Sequence, residues 1–189
     1  MWESLIEKDQ QWFVFLNSLG SPSWDPFWRA LSDKWVALPL YLLLLYLTHR
    51  QIGWKRTALF LVFIGLLITC TDQLSNFFKY GVQRLRPCHD PELDGMVRLV
   101  KDSCGGRFGY FSAHAANSFG LAAYFAVFWG RQHLLWAALL LFWAFLVAYS
   151  RIYLGVHYPL DVLTGSLTGA LLGWLFARLF VRADQKLFT

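Results

Sequence analysis

Three short groups of residues carry the chemistry this 189-residue chain is equipped to perform. Lys79 is followed, after six residues, by Arg86-Pro87. Ser112 and His114 form the second group. In the third, Ser150-Arg151 is followed after five residues by His157, and Asp161 stands four beyond it. Lys79, Arg86 and Arg151 make three cations, each costly to hold near hydrocarbon without a partner. A dianionic phosphate is such a partner, because a planar guanidinium matches phosphate oxygens two at a time. His157 and Asp161 are spaced i, i+4 and so share a helix face. The carboxylate then accepts one ring N–H, fixes the tautomer and leaves the other nitrogen free as a nucleophile. Pro159 suits the opening turn of that helix, where its missing N–H costs nothing. His114 remains as an acid able to protonate a departing alkoxide. A lone histidine of this kind is more often structural; the whole set points to phosphoryl chemistry.

The elements that position these groups are membrane helices. Hydrophobic residues make up 57% of the chain, aromatic ones 19% and charged ones 15%, whereas a soluble domain carries roughly 45–50% apolar and about 25% charged residues. The bilayer is therefore the working solvent, and a disordered chain, a collagen or a disulfide-dense secreted module is excluded. Apolar runs predict five spans, at about 35–48, 57–78, 115–129, 134–150 and 158–181. A span needs about 20 residues, so the first and third draw on their flanks, Trp28 to Lys34 and Ser112 to Ala115. Gly165, Gly169 and Gly173 repeat every four residues, a stripe that lets a neighbouring helix approach closely. No cleavable signal peptide is read at the start. Instead, Trp2, Leu5, Ile6, Trp12, Phe13, Leu16 and Leu19 follow helical spacing, with Ser4, Glu7, Lys8 and Gln11 opposite. Such a helix lies in the headgroup layer; packing on the protein's own flank is the alternative. The expected fold is all-α: a polytopic transmembrane bundle of about five spans plus an interfacial amphipathic helix within residues 1–34, as one membrane-embedded domain over residues 1–189.

Spans alternate sides, so the long connection at 80–111 shares a face with residues 151–157, and the three groups converge there. Connections longer than about 12–15 residues are functional or disordered, and this one is read as the active-site loop. The net charge of +5 is explained by placement rather than by nucleic acid, which is not an expected partner. Arg50, Lys55, Arg56, Arg131, Arg178, Arg182 and Lys186 occupy the short links and the tail, and the other ten of 17 basic residues the opposite face. A raw tally puts the long loop in the cytoplasm. Setting aside the cations committed to phosphate puts it outside.

The three groups resemble the type 2 phosphatidic acid phosphatase superfamily, in its bacterial integral membrane branch, over about residues 57–181. The family pattern is Lys, six residues, Arg-Pro; Pro-Ser-Gly-His; and Ser-Arg, five residues, His, three residues, Asp. The first and third parts match in full. The middle reads Phe111-Ser112-Ala113-His114, keeping Ser and His and replacing Pro and Gly. The resemblance implies a metal-free, cofactor-free, two-step hydrolysis. In it His157 attacks phosphorus to form a phosphohistidine and Asp161 orients it. His114 protonates the leaving group and then activates water. Lys79, Arg86, Ser112 and Arg151 hold the phosphate oxygens.

Asp72, Asn76 and Lys79 fall at i, i+4 and i+7, a polar stripe in which Asp72 positions a basic residue or serves a structural hydrogen bond. His89, Asp90, Glu92 and Asp94 shape the loop or meet a headgroup, and Gly105-Gly106 with Arg107 form a turn or a lip over the site. Cys70 reads as a small apolar residue within a span. Cys88 and Cys104, at opposite ends of the loop, are a candidate disulfide if that face is oxidising. The expected activity is that of an integral membrane lipid phosphate phosphatase whose partner is an amphiphile in the bilayer, in a bacterial inner membrane with the site facing the periplasm. Undecaprenyl diphosphate is favoured; phosphatidylglycerol phosphate, phosphatidic acid and lipid A are the alternatives. A soluble vanadium haloperoxidase is opposed by the spans, and a lipid-binding or transport protein by the His157–Asp161 pair with His114.

Overall fold

The computed structural model describes residues 2–101 and 103–188, the side chains of Trp2, Arg131 and Gln132 excepted. Trp2 of the expected apolar face and Arg131 of the basic tally thus lie outside the described side chains. Helices α1 (Trp2–Ser18), α2 (Asp25–Leu31), α3 (Leu38–Val82), α4 (Ala113–Trp129), α5 (Leu134–Tyr153) and α6 (Pro159–Phe188) make the described chain all-α. By length and composition α3, α5 and α6 can each cross a membrane. Their outward side chains, among them Leu61, Leu66, Phe142, Phe145, Leu167 and Leu171, are apolar and exposed, as lipid-facing positions must be.

Helix α3 contains two of the expected passes. It breaks at Gly53, whose φ of 73° no L-residue adopts readily. Thr57 Oγ donates to the Gly53 carbonyl at 2.8 Å, and His49 stacks on Trp54 at 3.9 Å across the bend. Beyond it, Tyr41, Leu44 and Thr48 face Phe60, Ile64 and Ile68 across an apolar cavity of about 340 Å³, so the halves run antiparallel. The first half begins at Leu38. Trp28 and Arg29 do not extend it as expected but belong to α2, because the chain turns at Asp33, whose side chain accepts the Trp35 N–H at 2.9 Å.

Helix α4 packs most extensively against α6. Gly165, Gly169 and Gly173 face the backbone carbonyls of Ser112, Ala116 and Gly120, so closely that a Cβ at any of the three would collide. Away from the site, Phe60, Tyr124, Phe125, Phe128 and Phe180 interlock edge-to-face around Phe60, with centroids 4.7 to 5.2 Å from it.

The N-terminal segment docks on the site end. The buried positions of α1 are Asp9, Phe13 and Asn17, not the wider apolar stripe; Leu5, Ile6, Trp12, Phe15 and Leu19 face outward. Polar atoms decide this. Asn17 donates to the carbonyls of Arg98, Ile152 and Tyr153 at 3.0–3.1 Å and accepts the Arg98 N–H at 2.8 Å. The exposed stripe remains suited to the headgroup layer. Helix α2 holds the long loop as well: Arg98 Nη2 donates to both Asp25 carboxylate oxygens, at 2.7 and 2.8 Å, and Arg29 donates to the Val100 carbonyl at 2.7 Å.

Substitution Gly169→Ala places a methyl against the Ala116 carbonyl, an overpacking worth about 1–3 kcal/mol. Its melting temperature in detergent is expected to fall. Gly65→Ala, where a Cβ meets nothing within 4 Å, is expected to hold or raise it.

Candidate active site

The nucleophile candidate sits in the turn between α5 and α6. Gly155, with φ of 79°, reverses the chain, and Pro159 opens α6. His157 therefore lies outside the helix, and the expected shared helix face is replaced by a reach back across its first turn. Residues preceding proline are held extended, which keeps Tyr158 out of the helix. Asp161 Oδ2 accepts the Tyr158 N–H at 3.0 Å and lies 3.5 Å from His157 Nδ1. That second contact is too long to be a hydrogen bond and leaves Nδ1 unpartnered among the described residues, as in many ligand-free sites that tighten on binding. Both side chains are buried, His157 at 2% exposure and Asp161 at 0%. Burial, then the charges of Arg151, Arg86 and Lys79, hold His157 well below its ordinary value, so the imidazole is neutral and its lone pair available at pH 7.

Cations surround this pair. Arg151, in the last turn of α5, is 4% exposed, donates from Nη1 to the Ser32 hydroxyl and keeps Nε without a hydrogen-bond partner. Arg86 donates from Nη1 to the Cys104 carbonyl at 2.8 Å and from Nε to the Phe108 carbonyl at 3.2 Å. Lys79, in the last turn of α3, lies within electrostatic reach of Arg86, Arg151, Asp161 and Asp72.

The long loop is built to aim Arg86. Arg86 N–H donates to the Arg107 carbonyl at 3.1 Å, Gly109 N–H donates to Arg84 at 2.9 Å, and Leu85 bridges Phe108. A disulfide joins Cys88 to Cys104, Cα to Cα 6.0 Å, and closes this pairing. Gly109 lies over the catalytic candidates: a Cβ there would meet Arg86 at 3.0 Å, Asp161 at 3.2 Å and His157 at 3.6 Å. Gly105-Gly106 and Arg107 are exposed at the loop's turn, and Asp90 anchors it from behind by accepting the Tyr158 hydroxyl at 2.5 Å and the Gln10 amide at 3.3 Å. Glu92 also accepts from Gln10, at 2.9 Å, while His89 Nε2 lies 3.4 Å from the Gly105 carbonyl.

Ser112 is fully buried as the N-cap of α4, its hydroxyl accepting the Ala115 N–H at 3.5 Å, and its own N–H donates to the Asp161 carbonyl at 3.0 Å. The positive end of α4 thus points to the cation cluster. His114, in the first turn, is exposed to a cavity of about 690 Å³ lined also by Ser32, Lys34 and Lys101, and it feels the charges of Arg151, His157, Lys101 and Lys79. Six of the seven principal candidates cluster through these contacts, and Ser112 joins them through Asp161.

Asp72 accepts from the Asn117 amide at 3.0 Å and also lies within electrostatic reach of Lys79, while Asn117 accepts from Thr71. Asn76 is exposed and leaves the expected stripe; Ser75 turns inward instead and donates to the Phe111 carbonyl at 2.9 Å. Residues that sequence spacing did not single out complete the site. Arg84 donates to Asp161 Oδ1 at 3.1 Å and to Asp9 Oδ2 at 2.6 Å, over the Tyr158 ring at 4.0 Å. Its signal was a third basic residue inside the gap between Lys79 and Arg86. That of Asp9 was its i, i+4, i+8 register with Phe13 and Asn17.

Buried histidine and carboxylate beneath converging cations, at one end of an apolar helical bundle, define an integral membrane enzyme that handles a phosphorylated amphiphile. The PAP2 superfamily model matches residues 57–185, and the chain belongs to that superfamily. It is similar to the lipid A 4'-phosphatase of Bacteroides thetaiotaomicron, 40% identical over 170 residues that cover 88% of this chain and 74% of that one. The lipid A 4'-phosphatase of Porphyromonas gingivalis is 32% identical over 167 residues, covering 86% and 69%. Among solved structures, LpxE of Aquifex aeolicus aligns with a TM-score of 0.64 at 26% identity, covering 89% of this chain and 93% of that one. The transmembrane PAP2-type phosphatidylglycerolphosphate phosphatase of Bacillus subtilis shares the fold, with a TM-score of 0.68 at 22% identity over 97% and 88% of the two chains. The chain is a membrane lipid phosphatase of the PAP2 type.

With Cys88 and Cys104 bridged, Cys70 is the free thiol. Alkylation after denaturation without reductant should label one cysteine, and three after reduction. Cys88→Ser should lower stability by about 3 kcal/mol, the loop-closure value for a separation near 15 residues, measured by thermal melting in detergent.

Proposed function

We propose that this enzyme removes a phosphate monoester from a glycolipid of the lipid A type, using His157 as nucleophile. The observation that carries the reaction is the buried His157–Asp161 pair, with a neutral imidazole, set among Lys79, Arg86 and Arg151. His157 Nε2 attacks phosphorus while the bond to the sugar oxygen breaks, and the departing alkoxide takes a proton from His114, which is protonated once the bound dianion offsets the burial and the cations that otherwise lower its pKa. Water, deprotonated by His114, then attacks the phosphohistidine; the P–N bond breaks and inorganic phosphate leaves. Lys79, Arg86, Ser112 and Arg151 hold the phosphoryl oxygens, with charge stabilisation greatest where it develops in the transition state. Asp161 fixes the His157 tautomer. No metal or cofactor enters these steps.

The substrate rests on the names of the two relatives, both lipid A 4'-phosphatases, and this displaces undecaprenyl diphosphate as the favoured lipid. The large cavity beside His114 gives room for a headgroup bulkier than phosphate alone. Residues 1–189 act as a single membrane-embedded domain, with 80–111 the active-site loop and 1–34 covering the site end. The disulfide in that loop favours an oxidising compartment, so the site faces the periplasm of a bacterial inner membrane.

Phosphate release from purified lipid A, phosphatidylglycerol phosphate, phosphatidic acid and undecaprenyl diphosphate, with EDTA throughout, tests this reading. Lipid A is expected to rank first, and His157→Ala to lose more than about 10³-fold in turnover, as removal of a nucleophile does. His114→Ala should be less impaired on a substrate with an acidic leaving group. Near-normal release by His157→Ala would overturn the phosphohistidine route, and a top rank for another lipid would replace the substrate.

A further inference from the structure

Asp161 has two tasks that compete for one carboxylate. Oδ2 faces His157 Nδ1 at 3.5 Å and accepts the Tyr158 N–H, while Oδ1 accepts from Arg84 at 3.1 Å. Arg84 is itself fixed: its other nitrogen binds Asp9 at 2.6 Å, and its guanidinium lies 4.0 Å over the Tyr158 ring. Asp9, 4% exposed, uses its second oxygen to accept the Leu160 N–H at 2.9 Å, in the first turn of the helix that carries Asp161. The chain of contacts closes on itself: α1 grips the start of α6 directly through Asp9 and again through Arg84. Position 9 also lies outside the segment, residues 57–185, that matches the family model.

We infer that Arg84 and Asp9 are positioning residues for the reaction, a relay by which the N-terminal helix sets the orientation of Asp161 and hence of the His157 ring. A carboxylate with one oxygen clamped cannot rotate about its terminal bond, so the other oxygen is presented to Nδ1 in one direction. The clamp is rigid because the Arg84 guanidinium spans two carboxylates, and each carboxylate is also pinned by a backbone N–H. Histidines oriented from behind by a hydrogen-bonded acidic group depend on such supports; where the histidine is a metal ligand, loss of the support costs about 10- to 100-fold. Among the described residues Arg84 and Asp9 make their side-chain bonds to each other, to Asp161 and to the Leu160 N–H, so the relay acts on the chemical step and not on substrate binding. The inference rests on His157 being the nucleophile.

The test compares Asp9→Asn, Arg84→Gln and the double variant with the wild type, in one detergent assay of phosphate release, with melting temperature as the folding control. Each single variant is expected to lower kcat about 10- to 100-fold with KM changed less than about threefold, and the double variant to be no worse than Arg84→Gln alone, since both substitutions break one chain of contacts. Asp9→Glu, which keeps the charge, should recover part of the kcat lost in Asp9→Asn. Folded variants with wild-type kcat, a rise in KM at unchanged kcat, or multiplicative losses in the double variant would each overturn the relay. If Arg84→Gln does not fold, Asp9→Asn with its rescue by Asp9→Glu decides alone. Wild-type release that vanishes in His157→Ala confirms the nucleophile separately, so a failed relay and a failed nucleophile give different patterns.

Discussion

The constraint on which this structure depends is a carboxylate held at 0% exposure inside a membrane protein, beneath a set of cations. An unpaired charge at that depth is untenable, and breaking a buried pair by removing one partner costs about 3–5 kcal/mol. Asp161 is therefore surrounded by donors: the Tyr158 N–H, the Arg84 guanidinium and, one step further, the groups that hold Arg84. Each donor drags an element with it. Tyr158 brings the turn after α5, Arg84 brings the end of α3 and the start of the long loop, and Asp9 brings α1. The architecture of the site end follows from satisfying that one side chain.

The opposite charge problem is solved differently. Lys79, Arg86 and Arg151 are not cancelled one by one by carboxylates; Arg86 and Arg151 lean on loop carbonyls and the Ser32 hydroxyl, which orient a guanidinium without neutralising it. The excess positive potential that remains suits a dianion, and after burial it is what lowers the His157 pKa. The two halves of the design are thus coupled: the cations that would suit a dianion add to the burial that leaves the imidazole lone pair free.

Close helix packing sets the scaffold to the tolerance this needs. The α4–α6 contact is backbone against glycine, with no side chain between to change rotamer, and it places the N-terminus of α4 beside the first turn of α6. Ser112 and Asp161 are joined there through a backbone hydrogen bond, which ties the N-terminus of α4 to the first turn of α6. The disulfide and the Arg86–Arg107 pairing do for the loop what glycine does for the helices, removing freedom from the segment that carries Arg86.

Much of this was legible in the chain. Long apolar runs read as spans, and the spacing of Lys79, Arg86, Ser112, His114, Arg151, His157 and Asp161 singled out the groups that the structure gathers at one end, because each residue type carries its reactivity with it wherever it stands. The glycine stripe on α6 announced a close neighbour for the same reason: a missing side chain is visible without a structure. What lay beyond the sequence were the partners. The apolar stripe of α1 predicted its membrane face well and its protein face poorly, since the docking surface is chosen by Asp9 and Asn17 finding donors and carbonyls far along the chain. Asn76 left its expected stripe and Ser75 turned inward to the Phe111 carbonyl, because one residue of helix rotation decides which side chain is buried. Arg84 looked like loop charge until Asp9 and Asp161 met it from opposite sides. Sequence determined which groups could react and that they must gather at one membrane face; only the tertiary structure decided which ion pairs with which, because pairing depends on distances between segments that no local spacing encodes.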